Sequence, residues 1–522
     1  MSRLTLTILS LLLSVVSAAA QRTAEGKVFI DANANGRYDQ GEQLLAGIPV
    51  SDGCRVVVTD ARGHYRIAVD EESNLFPILP AGYTMAGHQV VNRGFIAGSA
   101  IQRRDNDFAL RPKAVRARFR LHALGDVQVS DYQEVDYASR TLWPELLAAD
   151  SADVNLFLGD LVNNNLPLYP DLAQMMERLP GRSYTVLGNH DRDADSVRAH
   201  QVRSYCRSFG ADVYAFNEGD VHFIVLNNVY GQGARGYEGR ISERQLQFVR
   251  ADLSHVPTGR LIVVTMHIPL AVTRNRDELF SCLQDRPVLA LTAHLHRVMR
   301  FFYPQGQRTI HELGAGATCG FWWVGERDWE GVPMALQQGG TPRNYFVLDF
   351  NGPSYTFRCK GVGLDERRQM SIHITGIDTV DTHLRDMAQV AAGQALITVW
   401  GGCDSTTVRC RIDGGAWQVC PKAALMDANA ARVRELNLIK GYPTPYSRRN
   451  PMRRQESPQL WAYSLPDAAR KGSHVIEVEA SDRFGLSASW RRAYCFAEAD
   501  APASKQPLQA AKGGSKRKRV ER

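Results

Sequence analysis

Between about residues 114 and 350 the chain alternates short apolar runs with amphipathic stretches. The runs "ARFRLHAL", "DVNLFLG", "SYTVLG", "VHFIVLNN", "RLIVVTMH" and "PVLALTAH" read as strands, and "YASRTLWPELLAAD" and "SERQLQFVRADLS" read as the helices between them. That alternation leaves few architectures open: helices must cover sheet faces in a layered α/β domain. Nearly every run ends in a polar cluster, and in such sheets ligand sites gather at strand ends.

The flanks follow a different pattern. Residues 24–112 carry short β runs ("GKVFI", "GIPVSDG", "CRVVVTD", "GHYRIAV") parted by Gly, Asp and Asn turns, as in a small β-sandwich. Residues 370–497 return to short strands ("ALITVWGG", "TVRCRIDGGAWQV", "SHVIEVEASDRFG") and read as a second β-sandwich, with "PYSRRNPMRRQESPQL" as a long loop. At roughly 150 residues per domain, the 522 residues fit about three domains, with the α/β domain at 113–355.

The first 20 residues, "MSRLTLTILSLLLSVVSAAA", join one arginine, a short apolar core and an A-x-A end, which reads as a signal peptide. The expected location is therefore periplasmic or extracellular, with no transmembrane segment. Part of the +7 formal charge sits in the tail at 500–522, which ends "KGGSKRKRVER" and reads as disordered. Of the nine cysteines, Cys403, Cys410, Cys420 and Cys495 fall in the last sandwich and suggest one or two bridges there. No C-x-x-C occurs, so a cysteine zinc site is not expected.

The strand ends of the middle segment read in order "GDVQ" (125–128), "GDLVNN" (159–164), "GNHD" (188–191), "MH" (266–267) and "AHLH" (293–296). Each offers Asp, Asn, Gln or His, the neutral and anionic ligands a divalent metal takes. A single "GD" is usually a turn and a single His usually packing, but five such clusters in succession point to metal. In this order they resemble the signature of the calcineurin-like metallophosphoesterases, D-x-H, G-D-x-x-D/N, G-N-H-D/E, H and G-H-x-H. The layout is also similar to an exported bacterial subgroup with a β domain on either side.

The resemblance implies a four-layer αββα sandwich flanked by two β-sandwiches, carrying two divalent ions. One ion would be held by Asp126, Gln128, Asp160 and His296, the other by Asp160, Asn189, His267 and His294. Two such ions about 3.5–4 Å apart clamp a phosphate and make a bound water nucleophilic. His190 would serve as the catalytic acid toward the leaving oxygen. Gln128 stands where the family most often has histidine; a neutral oxygen ligand makes the site harder and favours manganese or iron over zinc. Asn163 takes the place of an aspartate that orients the catalytic histidine, which leaves His190 less basic unless Asp191 or Asp193 substitutes. Ala293 replaces a glycine, at a cost of about 1 kcal/mol if that backbone is left-handed.

Three further features stand apart. "GAGATCGFWWVGERDWEGVP" (314–333) is either core or a loop beside the metals, with Trp322 and Trp323 the candidate substrate pair together with Asn163. "DANANGRYDQGE" (31–42) matches a twelve-residue calcium loop at Asp31, Asn33, Asn35, Arg37, Asp39 and Glu42, as a structural site between strands. His122 and His222 lie within strands and read as packing. The whole reads as an exported metal-dependent hydrolase of a phosphomono- or phosphodiester, with a small-molecule or envelope phosphoester as substrate. The alternative is an inactive envelope- or glycan-binding protein on the same scaffold. No stable nucleic-acid complex is expected, because the basic runs are loop-borne and lack interleaved aromatics.

Overall fold

The computed structural model describes residues 22–70, 72–148, 152–378, 385–438 and 448–497. The expected signal peptide and basic tail lie outside these residues.

The middle segment builds two sheets. Five strands, in the order Arg182–Thr185, Val154–Phe157, Arg118–Leu124, Asn344–Asn351 and Ser354–Gly361, form the first. Six, in the order Tyr214–Glu218, Val221–Val225, Leu261–Thr265, Val288–Thr292, Arg308–Gly314 and Met299–Gln305, form the second. They pack face to face through apolar side chains: Phe223 of the second meets Phe119 and Phe350 of the first at ring distances of 6.3 and 6.2 Å. Helices Tyr132–Thr141, Trp143–Leu147 and Tyr169–Glu177 cover the first sheet, and Glu243–Leu253 and Arg276–Leu283 accompany the second. The result is the four-layer αββα sandwich.

Local chemistry fixes the helix starts. The Asp131 carboxylate accepts from Glu134 N at 3.0 Å while the Glu134 carboxylate reaches back to Ser130 N at 2.7 Å, so two otherwise unpaired donors are satisfied. Ser242 caps the helix Glu243–Leu253 in the same way.

Strands Arg118–Leu124, Val154–Phe157 and Arg182–Thr185 run parallel, as do Val221–Val225, Leu261–Thr265, Val288–Thr292 and Arg308–Gly314. Within each sheet the C-terminal ends therefore share one edge, where the next residues of "GDVQ", "GDLVNN", "GNHD", "MH" and "AHLH" lie.

Two β units flank this core. Toward the N-terminus, a four-stranded and a three-stranded sheet pack together. They join the sandwich through Arg244, which donates to Asp70 at 2.7 Å and Asp52 at 3.2 Å, and through Phe76 against Phe248. Toward the C-terminus, a three-stranded and a four-stranded sheet are tied in by Arg300 and Asp482, an ion pair fully withdrawn from solvent. Thr406 and the Gly401 carbonyl complete its hydrogen bonds, as a charge pair out of water requires.

Two expectations need amending here. The C-terminal unit contains a helix, Ala428–Leu438, that its strand pattern did not announce. Its cysteines are thiols in the structure, with the side chains of Cys410, on a strand, and Cys420, just past the next one, in contact.

Candidate metal centre

Backbone conformation marks the site before any side chain does. Asp126, Gln128, Asp160, His294 and His296 all have positive φ, between 40° and 73°. L-residues other than Asn, Asp and Gly rarely adopt this region, and bending there costs on the order of 1–3 kcal/mol each. At each position the chain leaves a strand and turns back, aiming the side chain over the sheet edges. Two glycines permit the crowding. A Cβ on Gly159 (φ 91°) would fall 2.7 Å from His267 Nδ1, and one on Gly188 would fall 2.1 Å from Asp160 N.

Ala293 itself is outside the left-handed region, so the strain foreseen there does not arise. The close contact sits instead at Gly125, whose added Cβ would lie 3.1 Å from Ala293 Cβ.

The side chains form two adjoining groups that share Asp160. In one, His267 Nδ1 donates to the Leu158 carbonyl at 2.8 Å, which leaves Nε2 as the nitrogen that faces the site. Nε2 faces Asn189 Oδ1 at 3.1 Å, His294 Nδ1 at 3.2 Å and Asp160 Oδ2 at 3.3 Å. These are ligating atoms drawn together, and a positive charge has to lie among them: a metal ion, or without one the proton that His267 takes up. In the other, His296 Nδ1 donates to Gly320 O at 2.7 Å and turns Nε2 toward Asp126 Oδ1 at 3.5 Å.

Asp126 Oδ1 and Gln128 Nε2 are buried with no hydrogen-bond partner. A half-turn of the Gln128 amide places its carbonyl oxygen at that orphaned position. Both histidines thus donate their second N–H to a backbone carbonyl, the arrangement that fixes a ligating tautomer. The donor set fits two divalent cations.

Ionisation follows the same logic. Burial pushes His294 down to about 3 and His296 down to about 4, so both present neutral lone pairs. Burial, with the Asp160 charge added, raises Asp126 to about 8. Burial also opposes a charge on His267, but the Asp160 carboxylate outweighs it and brings that pKa up to about 9. Asp160 stays below the usual carboxylate range: burial opposes ionisation, but His267 and His190 more than offset it.

His190 N donates to Asp160 Oδ1 at 2.8 Å, which seats the ring beside the bridging carboxylate. Its Nδ1 is buried without a partner, and burial lowers its pKa. Asn163 is turned away, donating to Ser130 Oγ at 3.0 Å. Neither proposed substitute acid reaches the ring. Asp191 accepts from Gly188 N, Leu161 N and Val162 N and so clamps two ligand loops together. Asp193 is engaged by Ser204.

The two tryptophans separate. Trp322, 42% exposed, lies with its ring 4.9 Å from His296, so it walls the site. Trp323 is core: it is 2% exposed and its Nε1 donates to Val127 O at 3.1 Å. The expectation that both line the site is corrected to Trp322 alone. His122 is buried against Tyr345, and His222 is buried and bonded to Asp252 at 2.7 Å, so both are packing residues.

Sequence reasoning missed Tyr237, whose ring stands edge-on to His294 at 6.2 Å, whereas Trp322 packs on His296. It sits on the hairpin Val229–Gln232/Gly236–Gly239, and its "GARGYEG" surroundings signal only a turn. Cys319 was missed too; its thiol lies 3.7 Å from His296 Nδ1, and burial keeps it protonated.

Comparison with known proteins agrees with this architecture. Residues 119–298 match the calcineurin-like phosphoesterase model, residues 32–113 the N-terminal model of that group and residues 312–487 its C-terminal model. The chain belongs to the calcineurin-like phosphoesterases, in the form that carries a domain on each side of the catalytic one. Its middle domain is a calcineurin-like phosphoesterase domain.

A stretch of 87 residues, 15% of this chain, is 30% identical to Colossin-C of Dictyostelium discoideum, covering 9% of that protein. Among solved structures, purple acid phosphatase PPD1 from yellow lupin aligns with 65% of this chain and 71% of its own at 12% identity and a TM-score of 0.34. The sulfate thiohydrolase SoxB of Thermus thermophilus, in complex with glycerol, aligns with 40% of this chain and 38% of its own at 12% identity and a TM-score of 0.26.

Proposed function

We propose that this chain is an exported phosphoesterase using two divalent transition ions, manganese or iron in preference to zinc, with phosphodiesters favoured over monoesters. The observation that carries the reading is the convergence of Asp160, Asn189, His267 and His294 through ligating atoms, beside the orphaned Asp126 and Gln128. Two ions held there supply Lewis acidity to a phosphoryl group and to the water that displaces its ester oxygen. Asp160 supports both positions at once.

His190, steadied by its backbone bond to Asp160, would present a ring N–H to the departing ester oxygen and stabilise the charge that develops there. An imidazolium held by a carboxylate would complement the second negative charge of a monoester. Here burial favours the neutral ring and no carboxylate hydrogen-bonds to it among the described residues, which suits the single charge of a diester. Trp322 beside His296 and Tyr237 beside His294 limit where an ester group can lie.

The test compares hydrolysis of an aryl phosphodiester with that of the matching monoester, using protein from residue 21 onward loaded with manganese, iron, zinc or magnesium. Metal-dependent turnover with a higher kcat/KM on the diester is expected. Preference for the monoester would contradict the diester assignment, and bound metal with no turnover on either would favour a narrower substrate. No bound metal at all would favour the inactive, glycan-binding alternative.

Metal preference rests on Gln128. Its replacement by histidine, Gln128→His, exchanges an oxygen for a nitrogen ligand and is expected to shift the best-activating ion toward zinc. An unchanged metal ranking would contradict this.

Export is supported by the apolar, A-x-A-ended N-terminal sequence. An envelope phosphoester is the substrate such a location offers. Among the described residues, no helix is long and apolar enough to cross a membrane.

The loop at 31–42 adds a structural calcium ion to the proposal. Asn33 and Asn35 both point at Asp39, each at 2.7 Å, and Glu42 reaches back to Ala32 N and Asp39 N, so the candidate ligands turn inward. Gly36, at φ 73°, makes the required sharp turn. Calcium at a hundred times its dissociation constant would stabilise this unit by about 2.7 kcal/mol. Thermal unfolding with and without calcium checks this: a rise in Tm that Asp39→Ala abolishes is expected, and an equal Tm in both conditions contradicts it.

A further inference from the structure

A cleft of about 1500 Å³ lies between the N-terminal β unit and the sandwich. Arg192 lines it and links it to the metal centre. Its guanidinium contacts the carbonyl of ligand residue Asn189 at 3.4 Å and stacks over Tyr237 at 5.3 Å, the same Tyr237 that packs on His294. From there Gln201, bonded to Arg192 at 3.0 Å, leads to Arg198, Arg203 and Arg207 along the wall.

These three arginines are exposed, and none forms an ion pair among the described residues. Arg203 and Arg207 stand one helical turn apart on Arg203–Phe209, where like charges repel rather than help the helix. Arg198 rests on the face of Tyr230 at 4.2 Å, which positions its guanidinium without using its N–H donors.

The cleft's acids are otherwise occupied. Asp52 is buried and engaged by Arg55, Arg244 and Ser73. Asp212 takes a hydrogen bond from Asn227 at 2.8 Å. Asp195, outside the lining, is held by Val197 N and His200, though the Arg203 charge also acts on it. Glu72 alone faces the cleft as an exposed carboxylate without an ion-pair partner among the described residues. The lining therefore carries an excess of cationic side chains, with Arg198, Arg203 and Arg207 outside any ion pair among the described residues, and Arg192 connects it to ligand residue Asn189.

We propose that this cleft is a subsite for an anionic group distal to the scissile ester, so that the preferred substrate is a phosphoester bearing at least one further phosphate. The proposal rests on the phosphoesterase reading and adds the substrate's charge pattern to it. Guanidinium forks suit phosphate oxygens, and their spread over a helix turn and a neighbouring loop suits an extended ligand.

The test uses thymidine 5′-(p-nitrophenyl phosphate) with and without a 3′-phosphate, on the manganese-loaded full chain and on the double variant Arg203→Ala/Arg207→Ala. For the wild type the 3′-phosphate should lower KM by about tenfold at low salt, the size expected of two exposed charge contacts. In the variant that advantage should vanish, with kcat/KM on the uncharged-tail ester unchanged. Equal KM for the two esters in the wild type would overturn the proposal, as would an equal loss on both in the variant.

A second readout needs no turnover: calorimetric binding of benzene-1,3,5-trisulfonate, a weakly chelating trianion, to the same two proteins. Salt-sensitive binding lost in the variant supports the subsite. Its absence in the wild type, or its survival in the variant, overturns it. Binding that behaves as expected while neither ester is hydrolysed would count against the phosphoesterase reading and leave the subsite supported.

Discussion

Replacing Asp160 with alanine is expected to remove both metal ions and to lower phosphoester hydrolysis by at least about a thousandfold. The size follows from its place. One carboxylate oxygen faces His267 Nε2 at 3.3 Å, the other accepts from His190 N at 2.8 Å, and its own carbonyl accepts from Gln128 N at 2.8 Å. Loss of the side chain strips the shared ligand from both groups and frees His190 from its anchor in one step. Asp160 is also the charge that holds His267 above its ordinary pKa despite burial, so the variant's remaining ligands would be mostly neutral.

Metal content and kcat/KM of the variant check this. Retention of both ions with near-native turnover would contradict a bridging role. The folded state should survive, because the carboxylate's partners, His190 N and His267 Nε2, both belong to the site, and His267 keeps its bond to the Leu158 carbonyl. Circular dichroism separates loss of site from loss of fold.

Gly188→Ala should be nearly as damaging, by a different route. Its Cβ would stand 2.1 Å from Asp160 N and 2.2 Å from Asp160 Oδ1, and the first of these is backbone that cannot swing away. Either the "GNHD" turn or the "GD" turn must move, by an ångström or so. Misplacement on that scale is worth about a hundredfold in rate. Overpacking of the buried turn adds a stability loss of about 1–3 kcal/mol. The measurement is kcat/KM at saturating metal together with the urea midpoint. Unchanged turnover would show that the two turns are not in contact in the working enzyme.

These two cases show why so much of the site was legible. Each ligand follows an apolar run directly, and the parallel register carries all the run ends within a sheet to one edge. A linear reading therefore finds neighbours in space without knowing the fold in detail. Small residues at 159 and 188 accompany the ligands because the turns touch. What stayed hidden was set by contacts between distant segments.

Trp322 and Trp323 are adjacent, and both have positive φ, yet one walls the site and the other fills the core, because only the packing of Tyr137 and the Val127 carbonyl decides which indole turns in. Tyr237 reaches His294 through a hairpin whose sequence signals only a turn. Helix Ala428–Leu438 escaped notice because it buries Glu435 and Asn437 along with its alanines, so no apolar stripe marks one face. The absence of a carboxylate on His190 could be suspected from Asn163, but that Asp191 is spent on clamping backbone N–H groups emerges only from the three-dimensional arrangement.

The central claim is that this chain holds two divalent ions through one shared carboxylate. Elemental analysis of the full chain after manganese loading and desalting, run beside Asp160→Ala, tests it most directly. Two ions per chain in the wild type and none retained in the variant is the expected result. Zero ions in the wild type, or two that persist without Asp160, would contradict the account.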